Sequence, residues 1–260
     1  MTDFSGSTNF LCLAILVLVL NGTYFKRQIV LTSLTVLWSV RLATFLLVRV
    51  LIRGKDSRFD EMRSKFWSFL GFWVFQMIWV FTVSLPVTLN NAAKNDLPLN
   101  WLDFVGWTLW VIGFLFESIA DLQKFFYTMT PTDTRPPFLS SGLWSISRHP
   151  NYFGEILLWT GIFLSSCNAY GVTSNDMRWG YVSILSPLVT FTLLLFMSGI
   201  NLAEKKSDRL YGKLTQYLEY KRSTSPLIPF PPQLYRHLPT VVKQWLFFEF
   251  PFYNKIKSID

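Results

Sequence analysis

Cysteine and histidine are nearly absent from this 260-residue chain: Cys12 and Cys167, His149 and His237 are all it has. Two cysteines in or beside apolar runs build no disulfide framework. With the two histidines they have no zinc-ligand spacing either, so no metal site is expected. Charge is also scarce. Asp, Glu, Lys and Arg make up 15% of the residues, where a soluble domain carries about a quarter. That leaves too little polar surface to cover a soluble core of this size. A polar linker, an internal repeat and a low-complexity segment are all missing, so the chain reads as one domain, 1–260. The first apolar run lacks a basic segment before it and is expected to stay as a helix rather than leave as a signal peptide.

What is present is apolar. Hydrophobic residues reach 51% and aromatics 18%, and the mean hydropathy is +0.31. The net charge of +8 forms no basic stripe outside the hydrophobic segments, which argues against nucleic acid. Loop lysines and arginines facing anionic lipid or an anionic cofactor explain it better.

A spanning helix needs roughly 20 mostly apolar residues. Phe10 to Tyr24, Ile29 to Ile52, Phe66 to Leu89, Trp101 to Phe125, Tyr152 to Tyr170 and Tyr181 to Leu202 come close, the first being short. The expected fold is therefore all-α: a polytopic membrane helix bundle of about six spans over 8–202, with a cytoplasmic C-terminal helical tail over 203–232. A segment over 240–257, rich in Trp245, Phe247, Phe248 and Phe250, is too punctuated to span and reads as an interfacial anchor. Arg53, Lys55, Arg58, Arg63 and Lys65 crowd the loop after the second stretch. Lys205, Lys206, Arg209 and Lys213 crowd the tail. The bias puts both termini in the cytoplasm.

Polar groups inside a membrane are costly and face a cavity or a partner. Arg41, Gln76, Glu117 and Asp121 are such exceptions. Glu117, Asp121 and Lys124 share one helical face. A polar cavity explains them; an internal ion pair, or long side chains reaching the interface, is the alternative. The densest cluster runs Arg148-His149-Pro150-Asn151-Tyr152-Phe153-Gly154-Glu155. Pro150 suits the first turn of a helix, which puts Asn151, Tyr152 and Glu155 on one face. Arg148 and His149 then stand among free backbone N–H groups at the positive end of the helix dipole, a place for a phosphate. A basic flank that merely stops a membrane helix would explain Arg148, but not Asn151, Tyr152 and Glu155 together.

That cluster resembles the cofactor motif of the steroid 5-alpha-reductase and sterol C14-reductase superfamily. Glu204-Lys205-Lys206-Ser207-Asp208-Arg209-Leu210-Tyr211-Gly212, followed by Tyr217, Tyr220 and Leu227-Ile228-Pro229-Phe230, is similar to its C-terminal signature. Arg53 to Arg63 and Phe72-Trp73-Val74-Phe75-Gln76 resemble the DUF1295 branch. The resemblance implies a helix bundle closing around NADPH. It implies hydride transfer to a carbon–carbon double bond of a steroid-like or other lipid substrate that arrives from the bilayer of the endoplasmic reticulum. Carried over, Asn151 and Glu155 match the nicotinamide and ribose end, with Arg148, His149 and Tyr152 beside it. Asp121 matches an acidic partner, Tyr211 a tail tyrosine on the cofactor, and Arg53 and Lys55 a basic pair near the phosphates. Arg41, Gln76 and Glu117 are left for the cavity and substrate. The motif lacks the G-x-G-x-x-G loop, so a Rossmann domain is excluded.

The departures bear on catalysis. Glu117 stands where the steroid reductases carry a neutral amide, and Trp38 near their proton-donating tyrosine. Tyr152 is then the first candidate for proton donor. Two other readings compete. Isoprenylcysteine carboxyl methyltransferases carry a similar Arg-His-Pro-x-Tyr-x-Gly stretch but bind S-adenosylmethionine; Asn151 and Glu155 favour the reductase. A non-catalytic lipid-binding scaffold is the third.

Overall fold

The structure, a computed structural model, describes residues 2–53, 65–95, 97–170 and 175–253. Lys55 lies outside them, and Arg53 is described only as the last residue of its helix. The long helices are α1 (Thr2–Asn21), α2 (Lys26–Arg53), α3 (Phe66–Asn91), α4 (Trp101–Met129) and α5 (Pro150–Tyr170). Shorter ones follow: α6 (Leu185–Thr192), α7 (Ile200–Tyr211), α8 (Thr215–Ser223), α9 (Pro232–Tyr235) and α10 (Thr240–Leu246). Among the described residues there is no strand, only a parallel bridge between Ser147 and Ser225.

Four helical stretches are long and apolar enough to cross a membrane: Lys26–Ile52, Phe66–Asn91, Trp101–Met129 and Trp179–Tyr211. Ser5–Asn21 is a shorter apolar helix. The α5 sequence is diluted by Asn151, Glu155, Ser165, Ser166 and Asn168, which lowers its apolar character despite sufficient length. The expected span at Tyr181 to Leu202 is not one regular helix. It opens as a 3-10 segment (Asn175–Ile184), continues as α6, widens into a π turn (Leu193–Met197) and breaks before α7. Gly199 marks the break. A Cβ there would stand 2.2 Å from the Leu194 carbonyl oxygen, so only glycine lets the chain fold back this tightly.

The residues gather into two compact units, Met1–Trp110 with Trp159–Val189, and Val111–Leu158 with Thr190–Asp260. In the first, Phe10, Trp38 and Trp159 are fully buried. Phe10 meets Trp38 and Trp79 edge-on at 5.3 Å, and Trp38 meets Trp159 at 5.1 Å. Such pairs add about 0.5–1.5 kcal/mol each beyond burial. Trp38 thus serves the core. This unit also holds a buried ion pair between Arg27, a loop cation by sequence, and Asp103. Arg27 Nε donates to Asp103 Oδ1 at 2.7 Å, and Arg27 Nη2 to Oδ2 at 3.1 Å. Ser165, Asn168 and the Asn100 backbone donate to the same carboxylate.

Glycines bring α4 and α5 together. In the first unit, a Cβ on Gly106 would lie 2.4 Å from the Gly161 carbonyl oxygen; in the second, one on Gly154 would lie 2.5 Å from the Glu117 nitrogen. Small residues let two backbones touch, which is how helices associate in lipid. Gly154→Val is expected to cost about 3 kcal/mol or more, since the added carbons meet backbone rather than yielding side chains. Thermal unfolding in detergent measures it; an unchanged midpoint would show that the seam tolerates side chains.

Candidate functional site

The second unit collects most of the chemistry. Its centre is the stretch from Trp144 to Tyr152, pinned on every side. Trp144 Nε1 donates to the Ala120 carbonyl at 3.1 Å, and the Tyr220 hydroxyl donates to the Trp144 carbonyl at 2.6 Å. Ser147 Oγ donates to the Leu227 carbonyl at 2.7 Å, and the Arg148 backbone N–H to Ser225 at 2.8 Å. The segment after α8 therefore runs beside residues 146–148 and fixes their course. Pro150 then starts α5, as expected of a residue whose missing N–H costs nothing in a first turn.

Arg148 and His149 are buried, at 4% and 6% exposure. A buried cation needs partners, and these come from α7, α8 and the segment after α10. Arg148 Nε lies 3.2 Å from Glu204 Oε1, Nη1 donates to the Lys221 carbonyl at 2.6 Å, and both terminal nitrogens reach Glu249 Oε1 at 3.2 Å. His149 Nε2 lies 2.9 Å from Glu204 Oε1. Lys221 bridges Glu204 at 3.1 Å and Asp208 at 2.6 Å, and the Tyr217 hydroxyl donates to Asp208 at 2.8 Å. The Tyr235 hydroxyl bonds the second oxygen of Glu249.

This network sets protonation. Burial opposes the Arg148 charge, but Glu204 and Glu249 outweigh it and hold the guanidinium ionised beyond its ordinary range. His149 is pushed below the ordinary imidazole value by burial, against the pull of Glu204 and with Arg148 and Lys124 opposing a second cation. A neutral ring donating Nε2–H to Glu204 follows. Burial and the neighbouring carboxylates raise Tyr217 and Tyr235, so both stay phenols.

The residues expected to share a site are partly brought together. Asn151 Nδ2 donates to Asp121 Oδ1 at 3.3 Å, while Asn151 Oδ1 is buried and finds no donor. Tyr152 stacks on His149, ring centres 5.4 Å apart and planes 12° from parallel. Glu155 is half-buried on the same helix, and Glu117 is buried on α4 near the Gly154 backbone. Tyr211 ends α7 and packs against Phe138 and Tyr217. Lys124 lies over the Trp144 ring at 5.0 Å. Arg41 and Gln76 belong to the first unit: Arg41 lies 5.8 Å over the Phe45 ring, and Gln76 is buried at 6% exposure.

Glu204, Lys221 and Glu249 were missed as site residues. Glu204 and Asp208 are four apart on α7, and Tyr217 and Lys221 four apart on α8, so each pair shares a helical face. That spacing was a usable signal. Glu249 had none, because only its position in space gives it Arg148. Among the described residues no group of His, Cys, Asp and Glu has the arrangement of a metal site.

The fold and this network define an all-helical protein with several helices apolar enough for a membrane. A family model described as "Protein of unknown function (DUF1295)" matches residues 1–224, and the chain belongs to that family. No curated protein and no solved structure matches it.

Proposed function

We propose that this protein is a membrane-embedded NADPH-dependent reductase of a carbon–carbon double bond in a steroid-like or other lipid substrate. One observation carries the reading: the Asn151 amide is oriented by Asp121 and leaves a buried carbonyl oxygen without a donor. A buried acceptor left unmade costs about 1–3 kcal/mol. The carboxamide N–H of a nicotinamide supplies the missing donor, so the residues fit that end of the cofactor. When bound, NADPH supplies the hydride. Tyr152 follows Asn151 on the same turn and stacks on His149, and its phenol is the candidate to give the proton.

Arg148 has a different part in this reading from direct phosphate binding. Its guanidinium is taken by Glu204 and Glu249, so it positions His149 and, through the stack, Tyr152. The cytoplasmic C-terminus and the endoplasmic reticulum belong to the same proposal, supported by the Lys/Arg bias and the family resemblance rather than by geometry.

Titrating detergent-purified protein with NADPH should raise its unfolding midpoint. Asn151→Ala should weaken binding about five- to tenfold, the equivalent of one hydrogen bond of about 1 kcal/mol. Stabilisation by S-adenosylmethionine and not by NADPH would instead identify a methyltransferase, and a response to neither would leave a lipid-binding scaffold.

A further inference from the structure

A cavity of about 340 Å3 opens in the second unit, lined by Arg222, Thr240, Lys243, Gln244, Glu249 and Pro251, with Asn151 not among its lining. Two cations face it. Neither Arg222 nor Lys243 has a carboxylate partner among the described residues. Lys243 Nζ makes only long contacts, 3.4 Å to the Arg222 carbonyl and 3.5 Å to the Arg236 carbonyl, and lies 4.7 Å over the Tyr235 ring. These are beyond the usual 2.9–3.0 Å for N–H···O, so its donors are weakly used. The cavity's one acid, Glu249, is paired with Arg148 and hydrogen-bonded to the Tyr235 hydroxyl. The lining thus presents an ammonium, a guanidinium, a hydroxyl and an amide to the space, with its acid already engaged.

We infer that this cavity binds a phosphate ester. Arginine and lysine donors match phosphate oxygens. The helix that supplies half the lining also shows where the rest of the ligand goes. Thr240, Lys243 and Gln244 share the cavity-facing side of α10. Val241 and Trp245, four residues apart on the adjacent side, are 65% and 79% exposed, and Leu246 beside them 58%. A phosphate held next to uncovered apolar side chains fits an anionic phospholipid, headgroup in the cavity and chains against Val241 and Trp245. The site does not depend on the reductase reading: it uses none of the residues assigned to the nicotinamide.

Native mass spectrometry of the full chain in detergent tests it, with phosphatidic acid, phosphatidylcholine and glycerol 3-phosphate as probes. Wild type should retain phosphatidic acid about tenfold over phosphatidylcholine, as expected for one or two charge-assisted hydrogen bonds. Lys243→Gln should reduce that preference, and Lys243→Gln with Arg222→Gln should abolish it; both side chains lie outside the core, and circular dichroism checks the fold. Asn151→Ala should leave it unchanged. Capture of glycerol 3-phosphate as strong as that of phosphatidic acid would support the phosphate site and make a free phosphate ester its ligand. Equal retention of the two lipids by wild type, or an undiminished preference in the double variant, overturns the inference.

Discussion

Replacing Glu204 by alanine is expected to destabilise the protein by about 3–5 kcal/mol, the usual result of removing one member of a buried ion pair. Glu204 is 3% exposed and meets Arg148, His149 and Lys221. Its loss leaves Lys221 with Asp208 and Arg148 with Glu249, so two buried cations each lose a counter-charge. Glu204→Gln separates charge from shape: the amide fills the same space and should still cost most of that amount. Denaturant unfolding in detergent measures both. If Glu204→Gln matches wild type, the carboxylate charge contributes nothing. The same network predicts a pH effect. His149 is held neutral, its folded value lying below the ordinary 6.5 or so. The unfolded chain therefore takes up this proton first as pH falls. The contribution is complete above the unfolded value and is lost as pH drops through the folded one. In His149→Gln the decline of stability between about pH 7 and 5 should be shallower than in wild type.

The second large effect is expected at Asp103. Asp103→Ala takes from Arg27, which is 1% exposed, the carboxylate it bonds through Nε and Nη2, and removes the acceptor that Ser165 and Asn168 share. A loss of about 3–5 kcal/mol follows. Replacing both charges by apolar groups of similar volume, Arg27→Met with Asp103→Leu, should recover much of it, because the penalty lies in a buried charge losing this counter-charge rather than in the pair itself. A double variant no more stable than Asp103→Ala would show that the carboxylate matters chiefly as the acceptor for Asn100, Ser165 and Asn168.

Helix positions were largely legible because apolar length is a local property. The stretch expected from Ile29 to Ile52 is α2 (Lys26–Arg53), and that from Trp101 to Phe125 is α4 (Trp101–Met129). Pro150 was readable as a helix start; the hydrogen bond from Asn151 to Asp121 was not, because it rests on how α5 meets α4. The interruption at Ser198 and Gly199 was not legible: hydropathy runs through it unbroken, and only the close approach to Leu194 shows why the helix stops.

By itself the sequence determined the all-helical character, the apolar segments and the small set of polar residues too costly to be incidental. Desolvation dictates these, whatever the chain's final path. Only the tertiary structure decided what each charge meets. Arg148 read as a phosphate ligand because a helix start with free N–H groups invites an anion. In space, Glu204 and Glu249 reach its guanidinium from 56 and 101 residues away. Arg27 read as a loop cation and is instead buried against Asp103. Coulomb energy depends on separation in space, and separation in space between residues so far apart along the chain is set by packing alone.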